Sequence, residues 1–401
     1  MPPAIASSSA TCEGVRYPAR SSRFPTRGSR MTTDRASMSA CAAEETEMTS
    51  LHDIPQPLRD EFIAFHGKAE TVTGRTSGFG GEIVFLDNGE HVRPRFIAAK
   101  YPRRKSDQSA HESAEAFLRE MTLQAKAHYH PNVHWPFEIV MILKVPVAYF
   151  RRWEGDLSAF IEDERLGDEG RLSIMVQLVA GLAHCQVRGL VHQDLKPENV
   201  FVRDLRRDFE LPEGDVWLRP LVADFGSVNL AAEIAEFCGS RPYMAPEQWG
   251  ATILSERTNV FAVGIMLHEL MTRGVHPIGT HGGDWHRRIN PGFNRWQDND
   301  RWRAWIRRGC PIADPLPDAG LAAIVEACLA VEPGARPSLG DLRDRLLGAL
   351  FARSNFAGSQ VDLFLRTAER EADGEEWAHL KSRLSRLSRA IDEEFSGEVA
   401  R

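Results

Sequence analysis

The stretch His192-Gln193-Asp194-Leu195-Lys196-Pro197-Glu198-Asn199, followed by Asp224-Phe225-Gly226 and then Ala245-Pro246-Glu247, decides how this chain is read. An acid–base carboxylate, a phosphate-binding lysine and two metal ligands come in order, at spacings that suit phosphoryl transfer. Asp194 and Asn199 lie five residues apart on one tight loop. That spacing lets a carboxylate face an incoming hydroxyl while the amide turns toward a magnesium ion. Asp224, on the next strand, can hold the metal that bridges nucleotide phosphates. A lone Asp-Phe-Gly would carry little; three motifs in order, with compatible gaps, make chance a poor explanation.

The ordered set resembles the protein kinase family, and Lys196, two residues after Asp194, points to its Ser/Thr branch. The resemblance covers roughly residues 70 to 350. It implies a two-lobed α+β fold, with a small β-rich N-lobe, a larger helical C-lobe and ATP in the cleft between them. ATP and Mg2+ are the implied cofactors, with Asn199 and Asp224 holding the metal. Asp194 would orient and deprotonate a Ser or Thr hydroxyl of a protein substrate, and Lys196 would stabilise the transferring phosphoryl group. Thr76-Ser77-Gly78-Phe79-Gly80-Gly81-Glu82-Ile83 reads as the glycine-rich loop, with Thr76 in place of the first glycine. Glycine suits such a loop because backbone N–H groups must approach phosphate oxygens without a side chain intervening. Phe96-Ile97-Ala98-Ala99-Lys100 alternates like a strand, and Asp87-Asn88-Gly89 is the hairpin signal that leads into it. The implied ATP-binding set is Gly78, Gly80, Gly81, Ile83, Ala98 and Lys100.

Lys100 needs a carboxylate to hold it. Residues Ser113 to His128 have no Gly or Pro and read as a helix, ending before His130-Pro131-Asn132-Val133. Glu120 is the expected partner of Lys100, with Glu115 as runner-up. Further on, Val145 to Tyr149 reads as a strand and Phe150 to Trp153 as the hinge against the adenine. Leu172, Met175, Val176, Val179, Leu182 and Ala183 recur with helical period, and a nearly all-apolar helix opens at Phe261. Arg336 is expected to pair with Glu247, building a peptide platform that a small-molecule phosphotransferase of related fold would lack.

Two positions depart from the family pattern. Gln193 stands where many members carry an arginine, and Asn259 where an aspartate usually opens the central helix. A pseudokinase scaffold, binding nucleotide without turnover, is the alternative these changes raise. The residues that would touch ATP, metal and hydroxyl are all present, so altered regulation is the expected effect. Asn259 is expected still to accept a hydrogen bond through its amide oxygen.

With 401 residues, 42% of them apolar and 26% charged, the chain can build a sizeable core. A balance of 49 basic to 56 acidic residues makes no global case for nucleic acid or anionic membrane. Cys12, Cys41, Cys185, Cys238, Cys310 and Cys328 show neither metal spacing nor a disulfide framework, which fits reduced thiols and a cytoplasmic protein. No apolar run is long enough for a membrane span.

Residues 1–50 are rich in Ser, Ala, Thr and Arg and read as a disordered extension, or as a start placed too early, with Met31, Met38 and Met48 as later candidates. The N-lobe with a leading segment is expected over 51–153, the C-lobe over 154–350 and a helical extension over 351–401. Residues 203–217 read as a polar surface insertion. Trp377, Leu380, Leu384, Leu387 and Ile391 form a short heptad seam, expected to pack back onto the kinase domain, with helix-mediated docking behind it. Trp285, Trp296, Trp302 and Trp305 alternate with arginines; packing within the larger lobe is favoured over a nucleic-acid or protein docking face.

Overall fold

Alternation along β2 (Gly81–Asp87) sorts its side chains into two sets, with Val84 and Leu86 buried on one face and Ile83 and Phe85 on the other. This strand pairs antiparallel with β1 (Thr71–Gly78) and β3 (Phe96–Tyr101). With β4 (Glu138–Ile142) and β5 (Val145–Arg151) they form a five-stranded antiparallel sheet in the order β1-β2-β3-β5-β4. The computed structural model describes residues 50–78, 81–92, 94–104, 109–153, 155–207, 210–211, 213–225, 228–230, 239–249, 254–281 and 299–371. The disordered extension expected over 1–50 falls outside them except for Ser50.

The Val84 face is covered by a helix within the leading segment. This is α1 (Gln56–His66), whose Ile63 is buried with Leu51, Leu86, Ile97, Ala99 and Val147. Polar bonds fix it in place: the Tyr149 hydroxyl donates to the Ile63 carbonyl at 2.8 Å, and Arg59 lies 3.7 Å from Glu82. The opposite face carries α2 (Ala110–Lys126), through Ala114, Phe117 and Met121 against Ala148 and Phe150. Ser109 caps α2 and Glu112 returns the bond, so the helix begins ahead of the expected Ser113 and stops at Lys126. The connection after Asp87 is longer than a tight hairpin turn. It spans 88–95 and is closed by a two-pronged Arg95–Asp87 pair, each bond 3.1 Å.

Beyond β5 come the short β6 (Gly155–Asp156) and α3 (Ser158–Ile161), and then α4 (Asp168–Val187). Leu172, Met175, Val176, Val179 and Leu182 of α4 are all within 1% of complete burial, as their period predicts. β7 (Leu190–His192) leads into the Asp194 loop. β8 (Val200–Asp204) and β9 (Leu218–Val222) join β6 in a three-stranded sheet, and β10 (Val228–Leu230) pairs with β7. α5 (Glu256–Met271) is buried along nearly its whole length and packs on α4. The pair β11 (Val275–His276) and β12 (Thr280–His281), then α6 (Asn299–Arg307), α7 (Ala319–Cys328), α8 (Leu339–Arg353) and α9 (Asn355–Glu371), complete the helical part. Five strands followed by this helical body make an α+β fold of the expected kind.

One buried charge in this body forms no ion pair among the described residues. Arg171, fully buried in α4, donates instead to the backbone carbonyls of Phe160, Ile161, Asp163, Leu166 and Leu270, at 2.6 to 3.5 Å. It ties α3 and the loop after it to the end of α5.

The stretch 203–217 needs correction, because it is not simply a polar surface insertion. Leu205, Val216 and Trp217 are 5% exposed or less. Trp217 meets the rings of Phe356 and Phe364 on α9 at 6.4 and 5.9 Å. The charged residues around these three masked an apolar contact that anchors α9 to the rest of the fold. The heptad seam from Trp377 to Ile391 lies outside the described residues. Trp285 and Trp296 do too, while Trp302 and Trp305 are core residues around the buried His276, as the packing reading expects.

Candidate active site

β3 and β2 bring the upper half of the site together. Ile83 pairs with Lys100 and Phe85 with Ala98, so Ile83, Phe85, Ala98 and Lys100 share one sheet face, on the side of α2. From that face Lys100 Nζ reaches Glu120 Oε1 of α2 at 2.5 Å, the partner expected. The runner-up Glu115 is on the helix surface with His111, 3.3 Å away. Burial pushes the Glu120 carboxyl up; Lys100 pulls it back, and the charge of Asp224 pushes it up again. Asp224 is therefore close enough to act on the Lys100–Glu120 pair.

Gly78 and Gly81 face each other at the tip of the β1–β2 hairpin, while Gly80 and Phe79 between them lie outside the described residues. Gly81 has a second reason to be glycine, besides close approach to phosphate. Its φ is +140°, and a Cβ there would come within 2.4 Å of the Tyr101 carbonyl. Any side chain would thus push β2 away from the end of β3, one residue past Lys100.

The lower half is a loop with its polar groups turned inward. Lys196 Nζ donates to Asp194 Oδ2 at 2.6 Å and to Ser240 Oγ at 2.9 Å. Asn199 Nδ2 donates to the Asp194 carbonyl at 2.7 Å, leaving its amide oxygen for another partner. Asp194 Oδ1 is buried and has no hydrogen-bond partner among the described residues. An acceptor in that state is costly unless something donates to it, so it fits an incoming hydroxyl. The Asn199 carbonyl accepts from Ala223 N at 2.9 Å, and the Ala223 carbonyl accepts from His192 Nε2 at 2.8 Å. These two bonds place Asn199 beside the backbone that ends in Asp224. Asp224 itself is exposed and holds φ at +59°, a left-handed conformation found more often in Asp and Asn than in other non-glycine residues. One amide oxygen and one exposed carboxylate form an oxygen donor set suited to Mg2+, which takes few protein ligands.

At the hinge, β5 runs two residues further than expected, to Arg151. His134 stacks on Phe150 with ring centroids 4.7 Å apart; burial pulls its imidazole down to about 3, so it is neutral. The Arg152 guanidinium lies 4.1 Å from the centroid of the Phe85 ring. Trp153 is flanked by Arg151 and Arg203, at 4.7 and 5.3 Å.

The platform pair forms as expected. Arg336 donates to both oxygens of Glu247, at 2.7 and 2.9 Å. The brace expected from Asn259 does not form. Its amide oxygen is buried and has no hydrogen-bond partner among the described residues. Without the charge of an aspartate, the pull on a loop N–H is about half as strong.

A paired lysine on a five-stranded sheet, an inward-turned acidic loop and an arginine-locked platform together define a protein kinase domain. A family profile described as the protein kinase domain matches residues 78–346, and the chain belongs to that family. It is 27% identical over 245 residues to the serine/threonine-protein kinase PkaA of Streptomyces coelicolor, covering 56% of this chain and 38% of that one. To the human serine/threonine-protein kinase DCLK3 it is 28% identical over 227 residues, covering 54% and 32%. To PknL of Mycobacterium tuberculosis it is 35% identical over 106 residues, covering 25% and 24%. The chain thus spans between 24% and 38% of the length of these curated relatives. No helix among the described residues is long and apolar enough to cross a membrane.

Proposed function

We propose that this chain is an ATP-dependent Ser/Thr protein kinase. The observation that carries the reading is the Asp194 carboxylate, with one oxygen held by Lys196 and the other buried and open to a donor. Asp194 Oδ1 orients the acceptor hydroxyl and takes its proton as the oxygen attacks the γ-phosphorus, while the bond from that phosphorus to the β–γ bridging oxygen breaks and ADP leaves. Lys196 stabilises charge on the transferring phosphoryl group, and Lys100, held by Glu120, positions the phosphates. Asn199 and Asp224 would hold Mg2+, which when bound neutralises phosphate charge. Ile83, Ala98, Gly78 and Gly81 would line the nucleotide side; Gly80, expected with them, lies outside the described residues. Most of the rate then comes from positioning and electrostatics. A cytoplasmic setting fits free thiols at Cys185, Cys310 and Cys328, which burial pushes up to about 12.

The test is incubation with labelled ATP and Mg2+, comparing wild type with Asp194→Asn on a generic acceptor protein. Label on the acceptor with the wild type, falling about 10²–10⁴-fold in rate with the variant, is expected. Equal label from both would overturn the mechanism, and none from either would favour a nucleotide-binding scaffold.

Activity is also expected not to depend on activation-segment phosphate. From Asp224 to Glu247 the only hydroxyl side chains are Ser227, Ser240 and Tyr243. Ser240 already bonds Lys196, and the buried Tyr243 hydroxyl donates to Glu269 at 2.9 Å. Ser227 lies outside the described residues, as do Glu233 and Glu236, whose charges occupy the stretch where an activating phosphate would sit. Gln193 offers such a phosphate no cation. Phosphatase treatment should leave the rate unchanged. A collapse of activity together with loss of phosphate between Ser227 and Tyr243 would contradict this.

A further inference from the structure

Gln248 follows the Ala-Pro-Glu motif directly and is 4% exposed. Both ends of its amide are engaged. Oε1 accepts from Ala245 N at 2.9 Å, and Nε2 donates to the Gln193 carbonyl at 2.7 Å. The first bond is ordinary capping: a glutamine in the first turn of the short helix Pro246–Trp249 returns to the amide just before it. Nothing about the cap requires the second. That bond reaches 55 residues back, to the peptide group that joins Gln193 to Asp194. Gly239 closes the contact, because its φ is +123° and a Cβ there would come within 2.9 Å of the same carbonyl and 3.2 Å of Gln248 Nε2.

We propose that Gln248 is a positioning residue for phosphotransfer. It pins the Gln193–Asp194 peptide plane to the substrate platform, and so sets the angle at which Asp194 meets the hydroxyl. The inference rests on the kinase reading above. It explains how the platform and the Asp194 loop stay in register when Gln193 supplies no cation and Asn259 supplies no hydrogen bond to the loop. Gln193 takes part through its carbonyl, which any residue has, so the bond depends on the residue at 248.

Two substitutions separate bridge from cap. Gln248→Glu keeps an acceptor for Ala245 N but at neutral pH lacks a donor for the Gln193 carbonyl, whereas Gln248→Met removes both. If the bridge matters, both variants lose kcat, by up to about 10²-fold, with KM for ATP unchanged. Gln248→Glu should recover toward wild type as pH falls, because a protonated carboxyl donates again. Amide exchange at Ala245 should stay slow in Gln248→Glu and quicken in Gln248→Met, confirming that the first variant is folded and capped. Wild-type kcat in Gln248→Glu, with only thermal stability lost in Gln248→Met, would reduce Gln248 to a cap and overturn the proposal. A wild type that transfers no phosphate overturns the kinase reading itself, a different result from an active wild type with unaffected variants.

Discussion

Asp224→Ala is expected to abolish phosphotransfer while leaving the protein folded. The residue is exposed, so its removal opens no buried cavity. One structural cost is conformational. With φ at +59°, alanine is less at ease than aspartate, by about 1 kcal/mol. The chemical cost is far larger. A metal ion that neutralises phosphate charge contributes several kcal/mol to the transition state. At 1.36 kcal/mol per tenfold, losing it removes about 10³-fold or more of the rate. Asp224→Asn separates the two effects, since asparagine tolerates the left-handed backbone but brings no charge; it should be as inactive as the alanine variant and more stable. A second consequence follows from the charges. Asp224 is one of the groups that push the Glu120 carboxyl up, so the Lys100–Glu120 pair should survive its removal. Single-turnover transfer from labelled ATP in Mg2+, with circular dichroism as the folding control, provides the measurement. Retained transfer by Asp224→Ala would dismiss Asp224 as a metal ligand.

The parts of this site that were legible are those whose chemistry demands a residue type at a set spacing. Asp194, Lys196 and Asn199 share one loop, so the spacing within the loop carries the geometry. Lys100 and Glu120 are on different elements, yet an alternating strand that ends in lysine and a helix with two candidate acids narrowed the pair to a choice. Helical geometry made it: Glu120 faces the sheet and Glu115 faces water. What escaped was decided by partners far along the chain. The importance of Arg171 lies in five carbonyls that leave no trace in side-chain pattern. Trp217 was hidden because Arg206, Arg207, Glu213 and Asp215 dominate its surroundings, while the rings it meets lie on α9. Gln248 reads as an unremarkable polar residue until its amide is seen to reach Gln193. Asn259 failed in the opposite direction. Its identity allowed a hydrogen bond that the backbone around it does not supply.

Arg336→Ala should destabilise the fold by about 3–5 kcal/mol, the range for breaking a buried ion pair from one side. Its side chain is fully buried, and each of its five N–H groups has an acceptor. Two go to Glu247; the others go to the carbonyls of Ala330, Arg257 and Val331, at 2.7 to 2.9 Å. The guanidinium also lies 5.0 Å from the centroid of the Phe261 ring, on the central helix. Removing it therefore takes two donors from a largely buried carboxylate, to which Thr258 Oγ1 still donates at 2.9 Å, takes one donor from each of three part-buried carbonyls, and opens a cavity beside α5. Glu247→Gln should cost much less, because the amide keeps an acceptor for Arg336 and three of the five bonds are untouched. The double change Arg336→Leu with Glu247→Leu tests which part dominates. If the ion pair alone held the platform, replacing both charges with apolar groups would restore most of the stability. With the three bonds to carbonyls still lost, the double variant should remain well below wild type. Urea unfolding of the four proteins, followed by tryptophan fluorescence, ranks them. An Arg336→Ala variant within about 1 kcal/mol of wild type, inside the spread of ordinary substitutions, would show that the platform is held by its apolar packing instead.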